Sequence, residues 1–183
     1  MRFSSIDKLP PFDAETGDVN VVVDTPKGSR NKYSFDEKLG AFKLAGVLAA
    51  GHVFPFDFGF IPGTLGGDGD PLDVLILLDE PAFVGCLVQS RLIGVIEAEQ
   101  TELDGETMRN DRLIAVAVDS PTHENLKSIN ELGETFVEQI EHFFISYNEA
   151  KGKKFVPLGR YAARKARDLV ESSKARPAKQ INF

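Results

Sequence analysis

The stretch Asp68-Gly69-Asp70-Pro71-Leu72-Asp73 leads directly into the apolar run Val74-Leu75-Ile76-Leu77-Leu78. The run has no alternation of polar and apolar residues, which is typical of a strand buried on both faces. Three carboxylates at the entrance of a buried strand repel one another and resist desolvation unless cations neutralise them. The stretch therefore predicts a site for a hard divalent cation, Mg²⁺ above all. The alternative is a solvated turn, since Asp, Gly and Pro dominate turns for conformational reasons alone.

The chain has the length and the apolar content of one ordinary domain, with 183 residues of which 42% are hydrophobic. We therefore expect a single domain over residues 1–183. No apolar run is long enough to span a bilayer, and Met1–Glu15 lacks the apolar segment of a signal peptide. Because Cys86 is the only cysteine, no internal disulfide is possible, which favours a reducing cytoplasm.

The charge of the chain is unevenly distributed. The net charge is −7, yet residues 151–183 carry ten Lys or Arg against two acidic residues, so this segment is +8 and the remainder −15. A basic segment of this kind suits contact with its own body, another subunit, phosphate or nucleic acid. Because the chain as a whole is acidic, we do not expect specific nucleic-acid binding.

The hydrophobic pattern predicts several strands followed by two helices. Strands are expected at residues 19–23, 31–36, 42–48, 74–78, 86–96 and 112–118. We expect the first two strands to form a hairpin around the turn at Pro26, and residues 97–110 to form a polar loop. Apolar residues at helical spacing, from Phe136 to Tyr147 and from Ala162 to Val170, predict the helices. This order of elements indicates an α+β domain.

Several known site motifs are excluded by the residues around the acidic cluster. An EF-hand loop that starts at Asp68 requires a ligand where Leu72 stands and a glycine where Asp73 stands. The glycine-rich loop is not followed by the Gly-Lys-Ser/Thr of a P-loop, and the Gly-x-Ser-x-Gly element of a serine hydrolase does not occur. Metal-assisted chemistry or metal binding is left, and dense Asp with Lys and Arg elsewhere suits a phosphate ester or anhydride.

The segment Asp68–Val74 resembles the signature of the soluble family I inorganic pyrophosphatases. Further segments occur in the family's order and approximate spacing, namely Val21–Pro26, Lys32-Tyr33, Phe54-Pro55 with Gly59, Gly94-Val95, Arg112–Val116 and His142–Tyr147. The resemblance spans residues 15–172. It implies a compact OB-like five-stranded β-barrel with flanking C-terminal helices, Mg²⁺-dependent hydrolysis of pyrophosphate to two phosphates, and a cytoplasmic homo-oligomer, commonly a hexamer in bacteria.

The resemblance also implies roles for individual side chains. Three aspartates match the family's metal ligands: Asp68, Asp70 and Asp73. Asp70 also matches the general base that takes a proton from the attacking water. Lys32 and Tyr147 match phosphate-binding residues, and Arg112 stands where the family usually has a phosphate-binding lysine, so its charge is kept and its geometry altered.

Several positions depart from the family pattern. They are Gly46 in place of a phosphate-clamping arginine, Ser34 of a glutamate, Asn148 of a lysine, Asp24 of a glutamate, and Phe54 and Phe58 of tyrosines. Gln100 and Asn110 take the places of two further metal aspartates, and neutral ligands there weaken metal binding. Glu99, Glu102 or Asp111 restores the negative charge if the loop is shifted in register, so Asp111 is a further candidate metal ligand.

These departures raise two alternatives to an ordinary pyrophosphatase. The first is a relative with weak activity or a different phosphoanhydride substrate, and the second is a non-catalytic homologue that binds metal or phosphate. Retention of all three signature aspartates argues against the second, because binding a polyanion needs cationic side chains more than clustered acids. We therefore expect an enzyme, an inorganic diphosphatase.

Overall fold

A computed structural model describes residues 6–174 of the chain. The strands in this range are β1 Val19–Thr25, β2 Asn31–Asp36, β3 Ala41–Val47, β4 Asp57–Phe60, β5 Asp73–Leu77, β6 Leu87–Thr101, β7 Thr107–Arg109, β8 Arg112–Ala117 and β9 Lys154–Ala162. The α-helices are α1 Glu134–Glu149 and α2 Ala163–Ser172, and short 3-10 helices lie at Ile6–Lys8, Pro121–His123 and Ile129–Leu132. Within residues 6–174, no helix is both long and apolar enough to cross a membrane.

Five strands of the main sheet close into a ring. β1 pairs with β4, β4 with β5, β5 with β8, β8 with β6, and β6 returns to β1. These pairs are antiparallel except for β5 and β8, which run parallel with Val74 opposite Leu113. The ring and the two helices confirm the expected α+β class with an OB-like five-stranded barrel.

The strand β5 is buried on both faces, as its unbroken apolar sequence predicts. Val74 belongs to an apolar cluster that includes Val170 of α2. Leu75 belongs to a second cluster that includes Phe144 of α1. Because successive side chains of a strand point to opposite faces, each face of β5 joins a cluster that contains a different helix. The acidic residues at its entrance are therefore next to a core rather than in open solvent.

The predicted hairpin between the first two strands is wrong. β1 pairs along one edge with β4 and along the other with β6, so no edge is left for β2. β2 pairs instead with β3, where Phe35 lies opposite Phe42. Burial gives the physical reason. All residues of β1 are buried and need a partner strand on each side, whereas β2 keeps partly exposed polar residues.

The segment at residues 97–110, predicted as a polar loop, is also mostly paired. β6 continues to Thr101, and β7 returns with Arg109 opposite Glu99. The turn between them lies at Asp104-Gly105, and Gly105 has a φ of +87°. The polar residues of this segment do not prevent pairing, because an antiparallel hairpin can expose one of its faces to water.

The strand β9 is not predicted by the sequence pattern. It runs along β6, with Lys154 opposite Thr101 and Ala162 opposite Gly94. Pro157 removes a backbone donor near a point where the register between the two strands shifts. A proline inside the segment therefore hides the strand, while the irregular register lets the pairing continue past it.

Both predicted helices are confirmed. On α1, Ile140 is buried, while Phe143 and Tyr147 are partly buried against the same cluster. The helix follows Gly133, which has a φ of +81°. Residues 175–183 of the predicted basic segment lie outside the described residues.

Replacement of Gly59 tests the close approach of β4 to β1. A Cβ at this position would lie 2.1 Å from the backbone oxygen of Val22, so the strands would have to separate. We expect Gly59→Ala to lower the free energy of unfolding by about 3 kcal/mol, measured by denaturant titration. Gly46→Ala on β3 is the control, because nothing lies within 4 Å of its added Cβ. Equal unfolding midpoints for the two variants would contradict this packing.

Candidate active site

The loop between β4 and β5 holds the acidic cluster in a fixed turn. The Leu72 amide donates to the Thr64 hydroxyl at 3.0 Å, which anchors the end of the loop. The Asp70 amide donates to Asp68 Oδ1 at 3.1 Å. Gly69 between them has a φ of +87°, a left-handed conformation that favours glycine. The alternation of Asp and Gly in the sequence therefore places both carboxylates on one short turn.

A cavity of about 770 Å³ lies next to this loop, between the β2–β3 hairpin, the β6–β7 hairpin and the end of α1. It brings together most of the predicted site residues, namely Asp68, Asp70, Asp73, Lys32, Arg112 and Tyr147. Its lining also includes most of the positions that depart from the family pattern, namely Asp24, Ser34, Phe54, Phe58, Gln100, Asn110 and Asn148. The fold thus assembles residues from distant parts of the chain around one space.

Asp111 is the predicted metal ligand that the structure places elsewhere. Its Oδ1 accepts hydrogen bonds from the Ala98 amide at 2.9 Å and from Arg109 Nη2 at 2.8 Å. It lines a second cavity of about 490 Å³, between the acidic loop and α2. The Asp111 carboxylate is therefore neutralised by Arg109 and does not line the first cavity.

The acidic side of the first cavity favours a cation. Burial raises the pKa of both Asp68 and Asp70 above the ordinary carboxyl range, and the negative charge of Asp73 raises both further. Within residues 6–174, no three Asp, Glu, His or Cys side chains are grouped closely enough to hold a metal ion in this geometry. Asp73 is instead turned toward Arg112, so Asp68 and Asp70 are the two signature carboxylates that form no ion pair within residues 6–174.

Arg112 is a buried cation at the start of β8, only 4% exposed. Its Nη1 donates to Asp73 Oδ2 at 2.5 Å and also to Asn110 Oδ1. The guanidinium carbon lies 4.9 Å from the Phe144 ring centroid and 5.3 Å from that of Phe155. Its Nε is buried without a hydrogen-bond partner in the described residues. The aromatic rings and Asp73 fix the guanidinium, which adds a permanent positive charge beside the acidic loop.

Lys32 lines the cavity from β2. Its Nζ is 2.7 Å from Asp24 Oδ1 and 4.4 Å from the Phe58 ring centroid. Burial raises the pKa of Asp24 to about 6, and the charge of Lys32 only partly opposes this effect. The pair therefore positions the ammonium group on the cavity wall, with Phe58 beneath it in place of a hydroxyl-bearing ring.

Tyr147 lies on the last turns of α1 with its hydroxyl in the same cavity. Burial raises the pKa of this hydroxyl to about 12, so it stays protonated at neutral pH and can donate to an anion. Its oxygen accepts a hydrogen bond from Lys151 Nζ. Lys151 and Lys153 line the cavity although the sequence pattern assigns them no role. The sequence spacing could have identified Lys151, because it follows Tyr147 by four residues, and residues four apart lie on the same side of a helix.

Gln100 and Asn110, which stand at expected metal positions, line the cavity, and their side-chain amides are hydrogen-bonded to other side chains. Asn110 Nδ2 donates to Gln100 Oε1 at 3.2 Å, and Gln100 Nε2 donates to Glu102 Oε1 at 2.5 Å. Glu102 in turn lies 2.5 Å from Lys153 Nζ. The side-chain oxygens of Gln100 and Glu102 therefore already contact donors of the protein. The cavity combines an acidic loop with a wall of cations and a phenol, which suits a polyanion held together with a metal cation.

Comparison with known proteins gives one consistent family. Residues 21–177 match the family model described as inorganic pyrophosphatase. An inorganic pyrophosphatase from Synechocystis sp. is 38% identical over 149 residues, covering 81% of this chain and 85% of the relative. One from Nostoc sp. is 36% identical over 163 residues, covering 89% and 94%. The crystal structure of inorganic pyrophosphatase from Thermus thermophilus superposes with a TM-score of 0.84 at 32% identity, covering 94% of this chain and 98% of that one.

Removal of Arg112 tests its pairing with Asp73. Arg112→Met leaves the Asp73 carboxylate without its partner, so we expect the free energy of unfolding to fall by about 2 kcal/mol. The control is Lys43→Met, which breaks the exposed pair between Lys43 and Asp36 and should cost less than about 1 kcal/mol. Denaturant titration of both variants measures the difference. If Arg112→Met unfolds at the midpoint of the control, the buried pair contributes no more than the surface one.

Proposed function

The chain belongs to the inorganic pyrophosphatase family, and on that premise we propose that its larger cavity hydrolyses pyrophosphate to two phosphates. The chain is thus an inorganic diphosphatase, as expected from the sequence. One observation supports the cavity as the site: the carboxylates of Asp68 and Asp70 line the same space as Lys32, Arg112 and Tyr147. A substrate with two anionic ends needs both a cation at the acidic loop and protein donors at the opposite wall.

The chemistry of the acidic donor set fits Mg²⁺, the metal that we propose for this site. The donors are oxygens, and burial disfavours the charged forms of Asp68 and Asp70 until a cation neutralises them. Asp68 and Asp70 would hold the ion, and Asp73 would join them as the third predicted ligand. When bound, Mg²⁺ supplies neutralisation of substrate charge and acidification of water.

Asp70 is the residue that we propose as general base. Asp68 accepts a hydrogen bond from the Asp70 amide, and Asp73 accepts one from Arg112. Among residues 6–174, no hydrogen-bond donor lowers the pKa of the Asp70 carboxylate, and burial raises it. A carboxylate with free acceptor positions and a raised pKa is better able to take a proton from an attacking water. Asp68 and Asp73 each accept a hydrogen bond from the protein, whereas within residues 6–174 the Asp70 carboxylate accepts none.

Three donors that line the cavity bind and orient the phosphates, namely Lys32, Tyr147 and Arg112. Lys32 presents an ammonium group held by Asp24, and Tyr147 presents a protonated hydroxyl. Arg112 contributes a positive charge that burial and aromatic contacts keep in one place. Charge accumulates on the leaving phosphate as the bridging bond breaks, and these groups stabilise it.

A weaker or altered phosphoanhydride hydrolase is the second candidate. Gln100 and Asn110 support it, because their amide oxygens accept hydrogen bonds from the protein and carry no charge for a metal. Retention of Asp68, Asp70 and Asp73 in one cavity favours catalysis over a role in metal or phosphate binding alone.

Assembly and location are further parts of the proposal. We expect a homo-oligomer, a hexamer by family resemblance, in the cytoplasm, with the whole chain as one domain. Leu44 and Val47 support association with another copy, because they are 56% and 57% exposed and give β3 an apolar outer side.

Replacement of Asp70 tests the general base. We expect Asp70→Asn to lower phosphate release from pyrophosphate at least about 100-fold, because the amide cannot accept the proton. The unfolding midpoint and circular dichroism should stay those of the wild type. Asp119→Asn is the control, since Asp119 is exposed and lies outside the cavity lining. Wild-type turnover in Asp70→Asn would remove the assignment.

Binding of Mg²⁺ has a readout that does not depend on turnover. A cation that binds only the folded chain stabilises it by mass action, so the wild-type melting temperature should rise with Mg²⁺ concentration. Asp68→Asn should reduce this rise, because it removes one of the two carboxylates that lack a cationic partner. A wild-type melting temperature that does not respond to Mg²⁺ would contradict the proposed metal site.

A further inference from the structure

Asn148 is hydrogen-bonded within the end of α1. Asn148 is 2% exposed, and its Nδ2 donates to the Phe144 carbonyl at 2.8 Å. Its carbonyl accepts hydrogen bonds from the Lys151 and Lys153 amides at 2.9 and 3.0 Å. Asn148 therefore serves to close the helix end, and its neutral amide supplies no charge to the cavity.

The same helix end brings Lys151 to the cavity wall. Gly152 follows it with a φ of +74°, which reverses the chain. The Lys151 Nζ lies 3.9 Å from the centroid of the Tyr147 ring and donates to the Tyr147 hydroxyl. The ammonium group and the phenol hydroxyl thus lie side by side, and together they form two donors for one anionic group.

Lys151 differs from the other cations of the cavity in its ion pairing. Lys32 is paired with Asp24 at 2.7 Å, and Lys153 with Glu102 at 2.5 Å. Arg112 is paired with Asp73 at 2.5 Å. Among residues 6–174, Lys151 forms no ion pair.

The surroundings of Lys151 oppose its positive charge. Lys151 is exposed as a residue, but desolvation of its ammonium group at the cavity wall, together with the positive charges of Lys153 and Lys32, lowers its pKa to about 8. An anion bound at this position would oppose both effects, because it adds negative charge next to an ammonium group that Glu102 only partly compensates.

We propose that Lys151 is a phosphate-binding residue of this chain, which acts together with the Tyr147 hydroxyl. The proposal rests on the proposed function, because it places one phosphate of pyrophosphate at this wall of the cavity. It assigns to Lys151 the positive charge that Asn148 lacks. A lysine that only covered the tyrosine ring would affect stability and would leave the affinity for phosphate unchanged.

The variant Lys151→Gln tests the proposal against a matched control. Lys154→Gln removes the same charge from the neighbouring start of β9, where Lys154 is exposed and lies outside the cavity lining. We expect Lys151→Gln to raise the KM for pyrophosphate and the Kd for inorganic phosphate by about 10- to 100-fold, measured by steady-state kinetics and calorimetry. Lys154→Gln should stay within about twofold of the wild type for both quantities.

The variant Lys151→Arg adds a readout in pH. A deprotonated Lys151 cannot bind phosphate electrostatically, so the affinity of the wild type should fall above about pH 8. A guanidinium keeps its charge in this range, so the affinity of Lys151→Arg should fall less steeply. The charged and titratable groups that act on Lys151 are Tyr147, Lys153, Lys32, Glu102 and Arg112, and all are common to both proteins.

The outcomes separate this proposal from the proposed function. If the Lys151→Gln and Lys154→Gln variants bind inorganic phosphate equally well, Lys151 has no role in binding, whatever the activity of the wild type. If the wild type binds phosphate in a Lys151-dependent way but releases none from pyrophosphate, the hydrolase assignment fails and the role of Lys151 stands. Unchanged melting temperatures in Lys151→Gln confirm that a loss of affinity is local.

Discussion

The burial of β5 on both faces is the constraint on which the candidate site depends. Its side chains join one apolar cluster with α1 and another with α2, so polar groups are accommodated only at the ends of the strand. The acidic turn at residues 68–73 stands at one of these ends, next to the core. Desolvation makes clustered carboxylates unfavourable there. Positive charge next to the acidic turn therefore stabilises its carboxylates.

Some of the charged groups that line the cavity form ion pairs within the protein and others do not. Arg112 neutralises Asp73 directly, whereas Asp68 and Asp70 form no ion pair among the described residues and are the carboxylates that we propose for a metal ion. Among the cations of the same cavity, Lys32 has a carboxylate partner and Lys151 has none among the described residues. An acidic loop and a cationic wall, each incompletely neutralised, together suit a metal complex of a small polyanion.

Local sequence predicts those features that depend on local chemistry. The acidic turn, the buried strand after it, and the periodicity of α1 are all found as expected. Features set by long-range contacts are not predicted. The pairing of β1 depends on which strands reach its two edges. The strand around Pro157 forms because β6 offers it an edge for pairing at residues 94–101. Likewise, the orientation of Asp111 is decided by Arg109.

We propose that this cavity hydrolyses pyrophosphate with a divalent metal, although neutral residues occupy several positions where the family has charged ones. The most direct measurement is phosphate release by the wild-type chain from pyrophosphate, a nucleoside triphosphate and inorganic polyphosphate, each with and without Mg²⁺. We expect release from pyrophosphate that requires Mg²⁺ and exceeds release from the longer substrates. Faster turnover of the triphosphate, or no release from any of the three, would contradict it.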